Sequence, residues 1–139
     1  SQIDWLIHLP ETKTVKVHGK KILMCHGSPS SQDDYIYPDS ELYKLKQCAV
    51  DGFDYVLMGN THYPFISEVN DVKLLNPGSV GQPRDYGSLA SFVTLDIEKS
   101  LVVFHRVPFS PKKIIQMVDE FDPKLSYLKR FFARGMLCG

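Results

Sequence analysis

A chain of 139 residues suits one domain or a large piece of one, and at that size about two-thirds of the unfolded surface can be buried. Hydrophobic residues at 43% and charged residues at 23% give an ordinary globular balance. Sixteen basic residues offset sixteen acidic ones, which argues against a nucleic-acid binder with its basic excess or stripe but leaves room for a small phosphate-bearing substrate met by a metal ion.

In chain order, Trp5, Leu6 and Leu9 sit at helical spacing before Pro10. Val15 and Val17 alternate with polar neighbours and predict a half-buried strand over residues 12–18. Gly19-Lys20 predicts a tight turn, and Ile22-Leu23-Met24-Cys25 a strand covered on both faces. It stops at His26-Gly27-Ser28-Pro29, and residues 30–38, polar and tyrosine-rich, read as an exposed loop. Asp39 is placed to cap a helix over residues 40–49, with Leu42, Leu45 and Ala49 on one face. Residues 53–58 form a second buried-strand run ending at Gly59-Asn60-Thr61-His62. Residues 63–70 and 72–75 predict a hairpin around Asn70-Asp71, and residues 91–97 and 101–107 another. Ser110-Pro111 and Asp122-Pro123 both look like caps followed by proline in the first turn. Ile114, Ile115, Val118 and Phe121 share one helical face, and Leu125, Leu128, Phe131 and Phe132 line a last helix ending near Gly135. The expectation is about six strands and three helices, most of the sheet lying after residue 52.

The three cysteines, Cys25, Cys48 and Cys138, are odd in number and widely spaced, which predicts no disulfide framework and a reducing, cytoplasmic setting. No stretch approaches the roughly 18 consecutive apolar residues of a spanning helix, and no signal peptide opens the chain. The missing initiator Met and the helical spacing of the first residues predict a start inside a longer sequence.

Two buried-looking strands each end in a histidine-bearing, glycine-flanked loop: Cys25-His26-Gly27-Ser28-Pro29 and Gly59-Asn60-Thr61-His62. Ligands collect at the carboxyl ends of strands in α/β sheets, and glycine there lets backbone approach a ligand. Neutral imidazole is a common donor to transition metals. A single histidine so placed is more often a hydrogen-bonded structural residue, and two leave the readings balanced. The third loop, Asn76-Pro77-Gly78-Ser79-Val80-Gly81-Gln82-Pro83-Arg84-Asp85, is by itself a surface loop of turn formers.

The order of these three blocks resembles the closing motifs of calcineurin-like metallophosphoesterases of the small phosphodiesterase branch, and the resemblance runs from about Leu6 to Gly135. It implies an α/β fold, the C-terminal half of a four-layer α/β/β/α sandwich, with residues 1–139 as the C-terminal portion of a single domain. It also implies two divalent ions (manganese, iron, zinc or nickel) that share a hydroxide attacking phosphorus. On this resemblance His26 binds one metal and His62 the other. Asn60 stands where the family's Gly-His-x-His pattern has its first histidine, so a neutral amide oxygen replaces an imidazole. The family's earlier motifs, an Asp-x-His pair, a bridging aspartate and an Asn-His pair, have no counterpart here; Asp4-Trp5-Leu6-Ile7-His8 has the wrong spacing. The implied function is a phosphodiesterase or phosphatase acting on a small phosphate ester, with this chain alone inactive. The alternative is a non-catalytic scaffold or binding module of the same fold, which could associate through the surface left by the missing half.

Other residues carry weaker expectations. Arg84 could reach a substrate phosphate, and pairing with Asp85 or another acid competes with that reading. Asp33 and Asp34 read as solvated, and Tyr35, Tyr37 and Tyr63 as pocket lining or half-buried rings. A zinc site from Cys25, Cys48, His26 and His62 lacks any closed spacing. His8, His18 and His105 read as surface or strand residues, and Ser28 and Ser79 have no ordered acid–base partner.

Overall fold

The computed structural model describes residues 1–132 and 134, which divide into two units: Ser1–Asn60 with Ile66–Leu75, and Thr61–Phe65 with the residues from Asn76 onward. Gly135, the expected end of the last helix, and Cys138 lie outside the described residues. Among the described residues there are seven strands and four α-helices, against the expected six and three.

In the first unit a capping box starts helix α1 (Gln2–Ile7): Asp4 N–H donates to Ser1 Oγ, and the Asp4 carboxylate takes the Ser1 amino group at 2.7 Å. Strands β1 (Thr12–Val17), β2 (Lys20–Cys25), β3 (Tyr55–Leu57), β4 (Phe65–Val69) and β5 (Val72–Asn76) form one sheet in the order β1-β2-β3-β5-β4. β1 and β2 are antiparallel, while β2–β3 and β3–β5 are parallel, in the registers Leu23↔Val56 and Val56↔Leu74. The parallel centre explains the unbroken apolar runs: Val56 and Leu74 are fully buried, with Ile22, Leu23 and Leu75 around them. His18 and Gly19 both have positive φ (45° and 79°), as do Asn70 and Asp71 (52° and 64°), the geometry of two-residue hairpin turns. β1 is more exposed than its alternation suggests. Only Val15 is half-buried, because β1 lies at the sheet edge, where Lys13 and Lys16 disfavour further pairing.

Helix α2 (Leu42–Cys48) starts later than expected, and Asp39 does not cap it. Glu41 is the cap residue, without a side-chain bond, and Ser40 Oγ accepts from Tyr37 N–H instead. Leu42 is exposed, while Leu45 and Cys48 are buried.

Asp54 pins the start of β2. Its carboxylate accepts from Lys20 Nζ (2.7 Å) and from Lys21 N–H (2.9 Å). The Lys20 bond, then the Lys21 bond, hold the Asp54 carboxyl below its usual value, and the same pair raises Lys20. A lowered acid contributes stability that is present above its unfolded value near pH ~4 and is lost as pH falls through the lower native value. The raised Lys20 contribution is present below about pH 10 and is lost as pH rises through the native value. Asp54→Asn is therefore expected to flatten the acid limb of the stability curve in thermal melts from about pH 2 to 7.

The second unit contains the hairpin of β6 (Leu89–Asp96) and β7 (Leu101–Pro108), antiparallel from Leu89↔Pro108 to Asp96↔Leu101. Helix α3 (Lys112–Phe121), a 3-10 turn (Pro123–Ser126) and helix α4 (Tyr127–Phe132) follow. Asp122 caps the 3-10 turn as its sequence suggests, its carboxylate accepting from Lys124 N–H at 3.2 Å. Ser110 does not cap α3; Pro111 occupies the cap position, where no side-chain bond is made. Of the expected α3 face only Val118 is buried, and Phe121 is 73% exposed. Among the described residues no helix is long and apolar enough to cross a membrane. The architecture is mixed α/β, with parallel strands at the centre of the larger sheet.

Candidate functional site

In the first unit the parallel pairing of β2 and β3 makes their carboxyl ends emerge side by side. Gly59 N–H donates to His26 O at 2.7 Å, and a Cβ on Gly59 would lie 3.8 Å from His26 Nδ1, so the ring stands over the glycine. His26 is exposed. Asn60 follows Gly59, and the structure thus brings two of the sequence-predicted donors to one end of the sheet. Asn60 Nδ2 donates to Asp34 O (3.0 Å) and Gln32 O (3.4 Å). Two carbonyl acceptors orient the amide, so Asn60 Oδ1 is the atom available for a cation.

The segment after His26 is ordered rather than a plain exposed loop. Gly27 is buried, and a Cβ there would sit 2.5 Å from Gln32 O and 2.6 Å from Ser31 O. Ser28 Oγ accepts from Ser30 and Ser31 N–H and donates to Asp34 Oδ2 at 2.5 Å. Asp34 is therefore a loop fastener rather than a solvated acid, and Ile36 is 5% exposed. Ser28, Asp34, Lys44 and Gln47 line a small cavity of about 100 Å³ beside this loop.

The second unit holds His62 and Arg84. His62 has φ 56°, a left-handed conformation uncommon for non-glycine residues and concentrated at functional sites. Its Nδ1 lies 3.0 Å from Gln82 O. A carbonyl can only accept, so Nδ1 carries a proton in this contact and the ring is held by it. The residue before it, Thr61, is fully buried, and its Oγ1 accepts from Asn76 Nδ2 at 2.9 Å. Asn76 Oδ1 accepts from Gly78 N–H, and Gly78 (φ 82°) packs where a Cβ would strike Ser91 Cβ at 2.7 Å. The sequence signalled Asn76 only as a turn former; its role beside Thr61 depends on a contact across 15 residues.

Arg84 N–H donates to His62 O at 3.3 Å. The expected Arg84–Asp85 pair does not form, because Asp85, 7% exposed, is ion-paired with Arg106 of β7. His105 stacks on Phe92 at 4.6 Å and meets Thr94 Oγ1, and His8 Nδ1 lies against Asp4 O; both are local contacts.

Among the described residues no group of three or more His, Cys, Asp or Glu is placed to hold a metal ion. Burial pushes the Cys25 and Cys48 thiols up to about 11, so they stay protonated and are poor ligands, which counts against a zinc–thiolate site. Two imidazoles and an amide bring no negative charge.

Residues 1–100 match the calcineurin-like phosphoesterase superfamily domain. A curated "probable metallophosphoesterase" of Methanocaldococcus jannaschii is 35% identical over 100 residues, covering 71% of this chain and 47% of that protein. The solved structure of a hypothetical protein from Pyrococcus horikoshii superposes with a TM-score of 0.81 at 24% identity, covering 95% of this chain and 53% of its own. That of a metallophosphoesterase from Sphaerobacter thermophilus gives 0.73 at 24% identity, covering 93% and 61%. At that identity these two likenesses speak for the fold. The chain spans about half the length of the curated relatives it matches. With the family match extending over 100 of its 139 residues, on a mixed α/β scaffold, the chain belongs to the calcineurin-like phosphoesterase superfamily.

Proposed function

We propose that this chain supplies imidazole and amide donors, His26, His62 and Asn60, to a dinuclear-metal phosphoesterase acting on a small phosphate ester. The observation that carries the reading is the His62 Nδ1 to Gln82 O hydrogen bond, in which the ring donates to a backbone carbonyl and is held in orientation, as ligating histidines are. Bound divalent ions would supply Lewis acidity towards the phosphoryl oxygens. The chain's own contribution is orientation: Gln82 holds the His62 proton at Nδ1, and the Gln32 and Asp34 carbonyls hold the Asn60 amide. With no carboxylate in the set, the chain alone binds metal weakly and does not turn over substrate. That no group of three or more His, Cys, Asp or Glu is placed for a metal among the described residues favours the second reading, a scaffold that keeps the fold without the chemistry.

Manganese affinity and hydrolysis of an aryl phosphodiester distinguish these readings. The chain is expected to bind manganese, and His62→Ala to weaken that binding at least about tenfold. A longer gene product that adds carboxylates is expected to hydrolyse the diester. Manganese binding and hydrolysis indifferent to His62→Ala would remove His62 from the site. A longer product that neither binds metal nor hydrolyses would leave the scaffold.

A further inference from the structure

Two cations of the second unit share one aromatic ring. Arg84 Cζ is 5.3 Å from the Phe131 centroid and Arg134 Cζ 4.7 Å from it. Neither guanidinium is paired with a carboxylate among the described residues, since Asp85 is taken by Arg106. Arg84 Nε is also buried without a hydrogen-bond partner among those residues. A buried donor without an acceptor is rare and costly, and two like charges gathered on one ring repel. The cluster is nonetheless held in place. Arg134 Nη1 donates to Arg84 O at 2.9 Å, Gly87 N–H donates to Arg134 O at 3.0 Å, and a Cβ on Gly87 would fall 1.9 Å from Phe131 O.

We propose that Arg84 and Arg134 form an anion subsite that takes a phosphoryl group through their guanidinium groups. Guanidinium forks match the oxygens of a tetrahedral oxyanion. A phosphoryl group near neutral pH carries about −1.5 to −2 and offsets both charges, where a carboxylate offsets one. The Arg84 N–H to His62 O bond places the subsite on the backbone that carries His62. Resting on the phosphoesterase reading, the subsite seats the phosphate-bearing part of the substrate.

The test follows the Arg84 Nε–Hε resonance by NMR while inorganic phosphate is added at constant ionic strength, with a chelator present so that no metal contributes. A saturable shift is expected. Arg134→Gln is expected to weaken phosphate binding about tenfold or more, and Arg130→Gln, an exposed charge on α4, to leave it unchanged. A shift that never saturates, an equal shift with matched chloride, or Arg134→Gln behaving like Arg130→Gln overturns the subsite. Because the chelator removes metal, that failure is separate from a failure of manganese binding.

Discussion

Gly27→Ala is expected to destabilise the protein by about 2–3 kcal/mol, the range of overpacking in a site that cannot relax. The added Cβ would meet Gln32 O at 2.5 Å, Ser31 O at 2.6 Å and Asp34 N at 2.8 Å, all backbone atoms. No rotamer change relieves such contacts, so residues 31–34 must move. Those residues carry the Ser28–Asp34 bond and both carbonyls that hold the Asn60 amide. The substitution is therefore expected to loosen Asn60 as well as lower the urea midpoint. Gly81→Ala is the control: a Cβ there meets nothing within 4 Å, and its stability change should stay within about 0.5 kcal/mol. Equal midpoints for the two variants would show that the 31–34 backbone yields freely.

Asn76→Ala is expected to cost about 2–4 kcal/mol, because it removes the Thr61 and Gly78 partners of a fully buried side chain at once. Thr61→Val keeps the shape of the threonine and removes the Oγ1 acceptor alone, so it should cost less. A double-mutant cycle isolates the Asn76–Thr61 bond, with a coupling of about 1 kcal/mol expected from denaturant unfolding. Strictly additive single effects would show that the bond contributes nothing. Loss of the bond also frees the residue before His62, whose φ of 56° needs support from its surroundings. The amide of His62 is therefore expected to exchange faster with solvent in Asn76→Ala than in the parent.

The strands were legible because burial on both faces leaves unbroken apolar runs, as in Ile22-Leu23 and Val56, and because two-residue turns demand residues such as Asn70-Asp71. Caps were less legible. Asp39 and Ser110 have the right chemistry, but each helix began after them, a choice made by the packing of Leu45 and Val118. The histidine-bearing loops that follow the buried strands could be read as loops, since glycine and a break in hydrophobicity mark the strand ends. What orients the histidines could not. The Gln82 acceptor is a backbone carbonyl 20 residues from His62, and Arg84 lost Asp85 to an arginine on β7. Asp34 was misread for the same reason: its Ser28 partner appears only once the loop folds back over Gly27.

The polypeptide leaves the first unit at Thr61, returns at Ile66 and departs again at Asn76. A fragment starting at Asn76 would therefore lack the five residues that include His62, and a fragment ending at Asn60 would lack β5 and the edge strand β4, which complete the sheet beyond β3. Neither unit corresponds to one continuous stretch of gene. During synthesis the Thr61 hydroxyl has no Asn76 to meet until 15 further codons have been read, and the His62 ring no Gln82 carbonyl until 20 have.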